Sequence, residues 1–328
     1  MQGRSLRRLL GQGKPIWIMG AHDVLSAKIA EHAGFDAVGI QSLQVSFVNG
    51  VPDIGVFGPD ELVRLCRRVR HAVNLPIVVD FEQGFGEPYV AVYWMKELQA
   101  AGVAAIHVDD YGLPYKCPFI PPHVLGLEDM EFTAAKIRAL VGEKNDPDFM
   151  VIGRPGTYVA SVHATEEERR ADWLRRARAY QAAGADALFP ICWTVEQAKW
   201  FRAQVTGPLM AIRTLGTKIA ADRVQYSDAM MSFSLAEIYD LGYEMYIEPT
   251  TLLGVAANAM LEAARRVRQT GRSDAVASEH GNLYDHLENW MDVAAVRELR
   301  SRYVTPEAAA PRSDSEAPHD RPSDAARH

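Results

Sequence analysis

Val78-Val79-Asp80-Phe81-Glu82-Gln83-Gly84-Phe85-Gly86 joins an apolar run to two acids one position apart, and then to a Gly-x-Gly turn. The apolar run reads as a strand ending in carboxylates. Beta alternation points Asp80 and Glu82 to the same side at its carboxyl end. Two hard oxygen donors placed there suit Mg2+, which takes one or two carboxylates and keeps places for water and substrate. The glycines let the backbone bend tightly beside them. A solvated acidic turn would carry the same residues, so the neighbouring segments decide.

Outward from this stretch, short apolar runs alternate with longer amphipathic ones. Strands are expected at 16–19, 37–40, 77–80, 104–108, 149–153, 187–189, 209–212 and 245–247. The helices between and after them are expected at 24–32, 59–73, 90–101, 130–140, 166–183, 195–205, 235–241 and 251–269. Several helices end in an Ala-Gly step: Ala33-Gly34-Phe35-Asp36, Ala101-Gly102-Val103-Ala104 and Ala183-Gly184-Ala185-Asp186. Glycine there supplies the left-handed cap that turns a helix into the next strand. Eight strand-helix units call for a parallel sheet, and their number is that of a (β/α)8 TIM barrel. A flavodoxin-like open sheet would need fewer.

The expected organisation is a catalytic barrel over 1–271, a C-terminal helical extension over 272–304 and a disordered tail over 305–328, rich in Pro, Ser, Asp, Ala and His. A helix over 283–303 carries Leu287, Trp290, Met291, Val293, Val296 and Leu299, a stripe suited to docking on the barrel or on a neighbouring subunit. A long connection, 216–233, follows the seventh strand on the face where barrels keep their active sites. At 328 residues, 48% hydrophobic and 23% charged, the chain can bury a large core. A net charge of -7 with no Lys/Arg-rich run argues against a nucleic-acid partner. No apolar span suits a bilayer, and 1–8 lack a signal-peptide core, so the cytoplasm is the expected address. Cys66, Cys117 and Cys192 are too few and too scattered for a disulfide framework.

Polar residues gather where the expected strands end. Gln41 and Ser42 end the second, with Asp53 in the following loop; Asp80 and Glu82 end the third, Asp109 and Asp110 the fourth, Arg154 the fifth and Arg213 the seventh. Acids and arginines on one rim fit a divalent cation that binds an acidic small molecule, with an arginine forking onto its carboxylate. Any one of them could be a structural ion pair.

In this order the motifs resemble those of the isocitrate lyase/phosphoenolpyruvate mutase superfamily, over roughly residues 4–271. Gly13-Lys14-Pro15 and His22-Asp23-Val24-Leu25-Ser26-Ala27 are similar to its Gly-Lys-Pro and Tyr-Asp-Ala-Leu-Ser-Ala start. Gly50-Val51-Pro52-Asp53 matches its Gly-x-Pro-Asp loop, and Asp80 to Gly86 its Asp-Ala-Asp-Thr-Gly-Tyr-Gly. His107-Val108-Asp109-Asp110 stands for His-Ile-Glu-Asp, and Asp146-Pro147-Asp148-Phe149 runs into Gly153-Arg154 as the family's Asp-Pro-Asp-Phe runs into Ala-Arg. The resemblance implies Mg2+, with Mn2+ as an alternative, bound by Asp80 and supported by Glu82 and Asp109 directly or through water. It implies a 2-oxo acid or its enolate on that metal. Asp53 and the backbone of Gln41, Ser42 and Leu43 would line the site, and Arg154 would hold a substrate carboxylate; Arg213, which stands near a usual Asn, is a further expected substrate-binding residue on its strand-end position. Pro114-Tyr115-Lys116-Cys117-Pro118-Phe119 falls where the lyases have Pro-Lys-Arg-Cys-Gly-His, so Cys117 would handle the proton on the enolate carbon. The family also commonly forms tetramers with an exchanged C-terminal helix, so a homo-oligomer, tetramer or dimer, is expected.

Departures sit at the site itself. Asp109 is one methylene shorter than the usual Glu, and Phe81 puts a ring between the two acids. Pro118-Phe119 replaces Gly-His, Gly156 stands where an acid is usual, Ile191 replaces a Glu, and Glu248 stands near a usual Tyr or Phe. The resulting expectation is a lyase cleaving a C–C bond of a substituted 2-hydroxy or 2-oxo dicarboxylate through an enolate. A phosphonopyruvate-type C–P mutase or hydrolase is the first alternative, weakened because no Asn-Ser pair follows Asp110. A non-catalytic binding or scaffold barrel is the second.

Overall fold

Apolar runs buried on both faces become the strands of a parallel barrel, because a sheet covered by helices has no wet side. The strands are β1 (Ile16–Gly20), β2 (Ala37–Ile40), β3 (Ile77–Asp80), β4 (Ala105–Asp109), β5 (Met150–Arg154), β6 (Ala187–Leu188), β7 (Met210–Ile212) and β10 (Met245–Glu248). The computed structural model describes residues 5–112, 117, 126–159, 163, 165–212, 217–219, 224–226, 234–274 and 283–304. Its eight-stranded sheet runs β6-β5-β4-β3-β2-β1-β10-β7. Every paired neighbour is parallel. A parallel bridge from Leu188 to Leu209 brings β6 to β7, so the sheet nearly closes into a (β/α)8 barrel.

Period-two alternation divides the core into two shells. Ile16, Ile18, Val78, Ala105, Ile152, Met210, Met245 and Ile247 fill the barrel, while Val38, Val79, Ile106 and Val151 pack outward against helices. One step further along the inward parity lie Asp80, Asp109 and Arg154, the final residues of β3, β4 and β5. Register sets Asp109 opposite Arg154, and Asp80 opposite His107, two residues before Asp109 on β4.

The helices are α1 (Leu6–Leu10), α2 (Val24–His32), α3 (Ser42–Val48), α4 (Pro59–Ala72), α5 (Pro88–Ala100), α6 (Met130–Glu143), α7 (Glu166–Ala182), α8 (Val195–Gln204), α9 (Leu235–Asp240) and α10 (Thr251–Thr270). Capping boxes start α2 (Asp23/Ser26), α7 (Thr165/Glu168) and α9 (Ser234/Glu237). The expected glycine stops are left-handed, with φ of 87° at Gly34, 84° at Gly102 and 96° at Gly184. Helices α1 and α3 were not expected; α1 sends Leu6, fully buried, into the inner shell. The 216–233 connection contains an antiparallel ribbon, β8 (Thr217–Ile219) and β9 (Val224–Tyr226).

The chain divides into two units, Met1–Arg265 and Arg266–His328. In the second, the single helix expected over 283–303 is broken. A 3-10 turn (Leu283–His286) leads into α11 (Leu287–Trp290), and α12 (Val293–Tyr303) starts afresh. Asp292, at φ 53°, is the break: a left-handed residue cannot continue an α-helix, and short polar side chains tolerate that conformation best. Trp290 stacks on His286 at 4.0 Å, whereas Met291, Val296 and Leu299 of the expected stripe are exposed. Among the described residues no helix is long and apolar enough to cross a membrane.

Candidate functional site

Strand parity delivers Asp80, but Glu82 arrives by a turn. The strand stops at Asp80, and Glu82 adopts φ 47°, so alternation was the wrong reason for the right side. Its N–H donates to Asp80 Oδ1 at 3.2 Å, and its carbonyl accepts from the Asp109 N–H at 2.8 Å, tying the turn to β4. Phe81 does not crowd the acids. It points into the outer shell, fully buried, edge-on to Phe85 at 5.3 Å. The solvated-turn alternative fails, because Asp80, Glu82 and Asp109 are all buried.

Helix α3 supplies the next wall. Gln41 caps it, its own N–H donating to Gln44 Oε1 at 3.2 Å. Gln44 Nε2 in turn donates to the Pro249 carbonyl. Ser42 Oγ donates to Asp53 Oδ2 at 3.1 Å and lies 3.4 Å from Asp80 Oδ2, while Ser46 Oγ reaches Asp53 Oδ1 at 3.3 Å. Leu43 is half-buried on the same helix. Ser46 was not anticipated; a serine one helical turn after Ser42 was the available signal. Cys117 is buried against this wall. Its N–H donates to the Asp53 carbonyl at 2.9 Å, and its thiol hydrogen-bonds the Asp53 carboxylate.

Arg154 faces the acids from β5. Its Nη1 stands 3.7 Å from Asp80 Oδ2 and 3.8 Å from Asp109 Oδ2. Aromatic faces flank it, Phe189 at 5.0 Å and Tyr111 at 5.6 Å from the guanidinium carbon. Such rings hold a planar cation in orientation and admit little water. His107 packs edge-on to Phe189 at 5.1 Å, with Nδ1 3.6 Å from Asp80 Oδ1. Burial drives its pKa down to about 4, so the imidazole is neutral.

So much buried negative charge is costly, and the carboxyls show it. Burial first, then the charges of Asp80, Asp109 and Asp53, push Glu82 up to about 9. Burial and the Asp80 charge raise Asp53 to about 6. Burial also lifts Asp109 well above the usual range, although Arg154 opposes it. Glu82 Oε1 and both Asp109 carboxylate oxygens are buried without a hydrogen-bond partner. Orphaned, electron-rich oxygens around one arginine fit an added cation. Among the described residues no group of three or more His, Cys, Asp or Glu side chains is placed to hold a metal ion by itself. Mg2+ does not require such a group, since it keeps several waters and takes one or two carboxylates.

Other expectations resolve differently. Asp110 turns away from the site: its Oδ1 accepts from the Gly156 N–H at 2.7 Å, and its Oδ2 from Arg176 at 3.0 Å and Tyr180 at 2.5 Å. Gly156 is glycine because a Cβ there would run into the Tyr111 ring. Ile191, in place of an acid, is buried in the inner shell. Glu248 serves α10, accepting from Thr251 Oγ1 at 2.6 Å. His163 lies 3.1 Å from Asp172 Oδ2. Arg213, Lys116 and the Pro118-Phe119 pair lie outside the described residues.

Comparison with known proteins bears on the family and the fold. Residues 6–268 match the family model described as phosphoenolpyruvate phosphomutase. The chain is 31% identical over 270 residues to a Corynebacterium glutamicum protein described as "probable 2-methylisocitrate lyase 2", covering 82% of this chain and 81% of that one. It is 28% identical to 2,3-dimethylmalate lyase of Eubacterium barkeri, covering 92% and 98%. Among solved structures, a phosphonopyruvate hydrolase in complex with oxalate and Mg2+ superposes with a TM-score of 0.78 at 25% identity, covering 92% and 98%.

Proposed function

The chain belongs to the phosphoenolpyruvate phosphomutase family, and on that premise we propose that it is a Mg2+-dependent lyase. Its substrate would be a substituted 2-hydroxy or 2-oxo dicarboxylate, cleaved at a C–C bond. The observation that carries the reading is the thiol of Cys117 seated on Asp53, beside buried Glu82 and Asp109 oxygens that lack a hydrogen-bond partner. A proton donor, a group that titrates near neutrality and a cation site are then in one place.

Asp80 would hold the cation, with Glu82 and Asp109 beside it. When bound, it would supply the positive charge that stabilises an enolate. Arg154, held between two rings and two acids, orients a substrate carboxylate by a two-pronged hydrogen bond. With a 2-hydroxy dicarboxylate as substrate, Asp53, with a pKa of about 6, can take the hydroxyl proton as the C–C bond breaks. Cys117 can then give its thiol proton to the released carbon, so one proton is taken and one delivered. The products are a 2-oxo acid and a saturated carboxylic acid. Phe189, Tyr111 and Ile191 keep water from a carbanion that would otherwise be quenched at the wrong moment.

A C–P reading is supported by the hydrolase superposition, but Cys117 has no part in it. Incubating the protein and Mg2+ with 2-methylisocitrate, 2,3-dimethylmalate and phosphonopyruvate, and following products by NMR, separates the two. Release of a 2-oxo acid from a dicarboxylate supports the lyase, phosphate release from phosphonopyruvate supports C–P chemistry, and neither leaves the binding-barrel alternative. We also take the protein to act as a homo-oligomer, which exposed Val255, Met260 and Leu261 on α10 support and sedimentation velocity tests. Action in a reducing compartment such as the cytoplasm suits three cysteines, none of them in a disulfide.

A further inference from the structure

Lys136, on α6, is fully buried, yet none of the chemistry above uses it. Its Nζ is 2.6 Å from the Gln83 carbonyl oxygen and 2.6 Å from Glu128 Oε2, with the Phe132 ring at 5.2 Å. Burying an ammonium is costly even when it is paired, and an apolar side chain would fill the same space at less expense. The contact with Gln83 shows what an apolar side chain could not do.

Gln83 sits inside an unusual turn. Glu82, Gly84, Phe85 and Gly86 all have positive φ, at 47°, 86°, 61° and 151°, and two of them are not glycine. Such backbone persists only where the surroundings over-determine it. Two backbone bonds help, Gly84 N–H to the Phe81 carbonyl at 2.9 Å and Asp109 N–H to the Glu82 carbonyl at 2.8 Å. Lys136 adds a charged donor on the next carbonyl, from a helix outside the strand layer. Glu128 fixes Lys136 and is itself fixed. Its Oε2 accepts from Thr133 Oγ1 at 2.6 Å, its N–H donates to the Asp110 carbonyl at 2.7 Å, and its carbonyl accepts from Arg176 at 3.0 Å. The network around Asp110 thus reaches the turn that carries Glu82.

We infer that the Lys136–Glu128 pair is a positioning device: it holds the 82–86 turn in its left-handed form, keeps the Glu82 carboxylate in the cluster, and so sets affinity for a divalent cation. Lys136 touches neither cation nor substrate. The inference rests on the cation reading above, and its test separates the two.

Mn2+ is titrated calorimetrically into the full-length protein, into a Lys136→Met/Glu128→Gln double variant and into Lys136→Arg, and amide exchange across 82–86 is followed without metal. The double variant removes both charges, so no buried carboxylate is stranded. Mn2+ affinity should fall about 10- to 100-fold, as for loss of an outer-shell partner, with faster exchange across 82–86 and slow exchange retained in β4 and β5. Wild-type affinity and exchange in a folded double variant would overturn the inference while leaving the cation site standing. If the unaltered protein binds no Mn2+, the cation reading fails, and the exchange rates alone decide whether Lys136 holds the turn. Should the double variant not fold, Lys136→Arg decides. Its bulkier planar fork cannot put one donor atom 2.6 Å from both acceptors in a fully buried site, so unchanged affinity and exchange there would equally overturn it.

Discussion

Where β3, β4 and β5 end, the inner face of the barrel carries Asp80, Asp109 and Arg154; at and just beyond the ends of β6 and β7, the inner shell carries Phe189, Ile191 and Ile212. Both sectors come from one repeating unit, yet one is charged and the other oily. The repeat decides where a side chain points and leaves its chemistry open. The two sectors also act on each other. Apolar walls lower the local dielectric, which strengthens every charge interaction beside them. Glu82, buried among Asp80, Asp109 and Asp53, is driven up to about 9 by that burial first and by their charges second. A wetter rim would leave the same acids near their ordinary values and less responsive to a cation.

The comparison can be broken most severely from the charged side. Asp80→Ala should lower kcat/KM by roughly 10^3-fold, the scale seen when a main stabiliser of developing charge is lost; steady-state assays on whichever of the three compounds above turns over would measure it. A scaffold would keep its function. Cys117→Ala should cost about 10^2-fold in kcat, the loss of a positioned proton donor, while Mg2+ binding by calorimetry stays unchanged. Phe189→Leu crosses from one sector to the other. It removes a ring from Arg154 and should raise KM about tenfold, with little change in kcat. Ile191→Val stays within the oily sector and should cost about 1 kcal/mol of stability in urea titrations, leaving the Mg2+ dependence alone.

The smallest effect is in pH. Asp53 and Glu82 have folded-state pKa values of about 6 and about 9, above their unfolded values of 3.8 and 4.5. The folded protein therefore holds more protons than the unfolded chain between these limits. Its stability must fall as pH rises through them. The melting temperature of metal-free protein should decline by a few degrees from pH 5 to pH 9, as about 1 kcal/mol or more would cause. Added Mg2+ should offset the decline most at the alkaline end, where no proton has to be displaced.

Much of this was legible in the sequence. The β2 and β3 bounds were read directly, and the other barrel strands to within a residue at either end, because buried parallel strands leave unbroken apolar runs between glycine caps. Helix α3 was missed, since Ser-Leu-Gln-Val-Ser-Phe-Val has no helical stripe and its start rests on Gln41 and Gln44 side chains. The C-terminal break was missed because the apolar stripe continues across Asp292 while the backbone does not. Within the site, strand-end acids were visible as a pattern. Their supports were not: Lys136 on an amphipathic helix reads as a solvated face, and only the fold shows it reaching Gln83. The rings around Arg154 were equally silent, since Tyr111 and Phe189 lie far apart in the chain.

The central claim is that the buried acids and Arg154 form a cation-dependent site for an enolate-like anion. Titration calorimetry of oxalate, a planar mimic of such an enolate, with and without Mg2+ tests it most directly. The expected result is binding that requires the cation and disappears in Asp80→Ala. Oxalate binding of equal strength without Mg2+, or none under either condition, would contradict it.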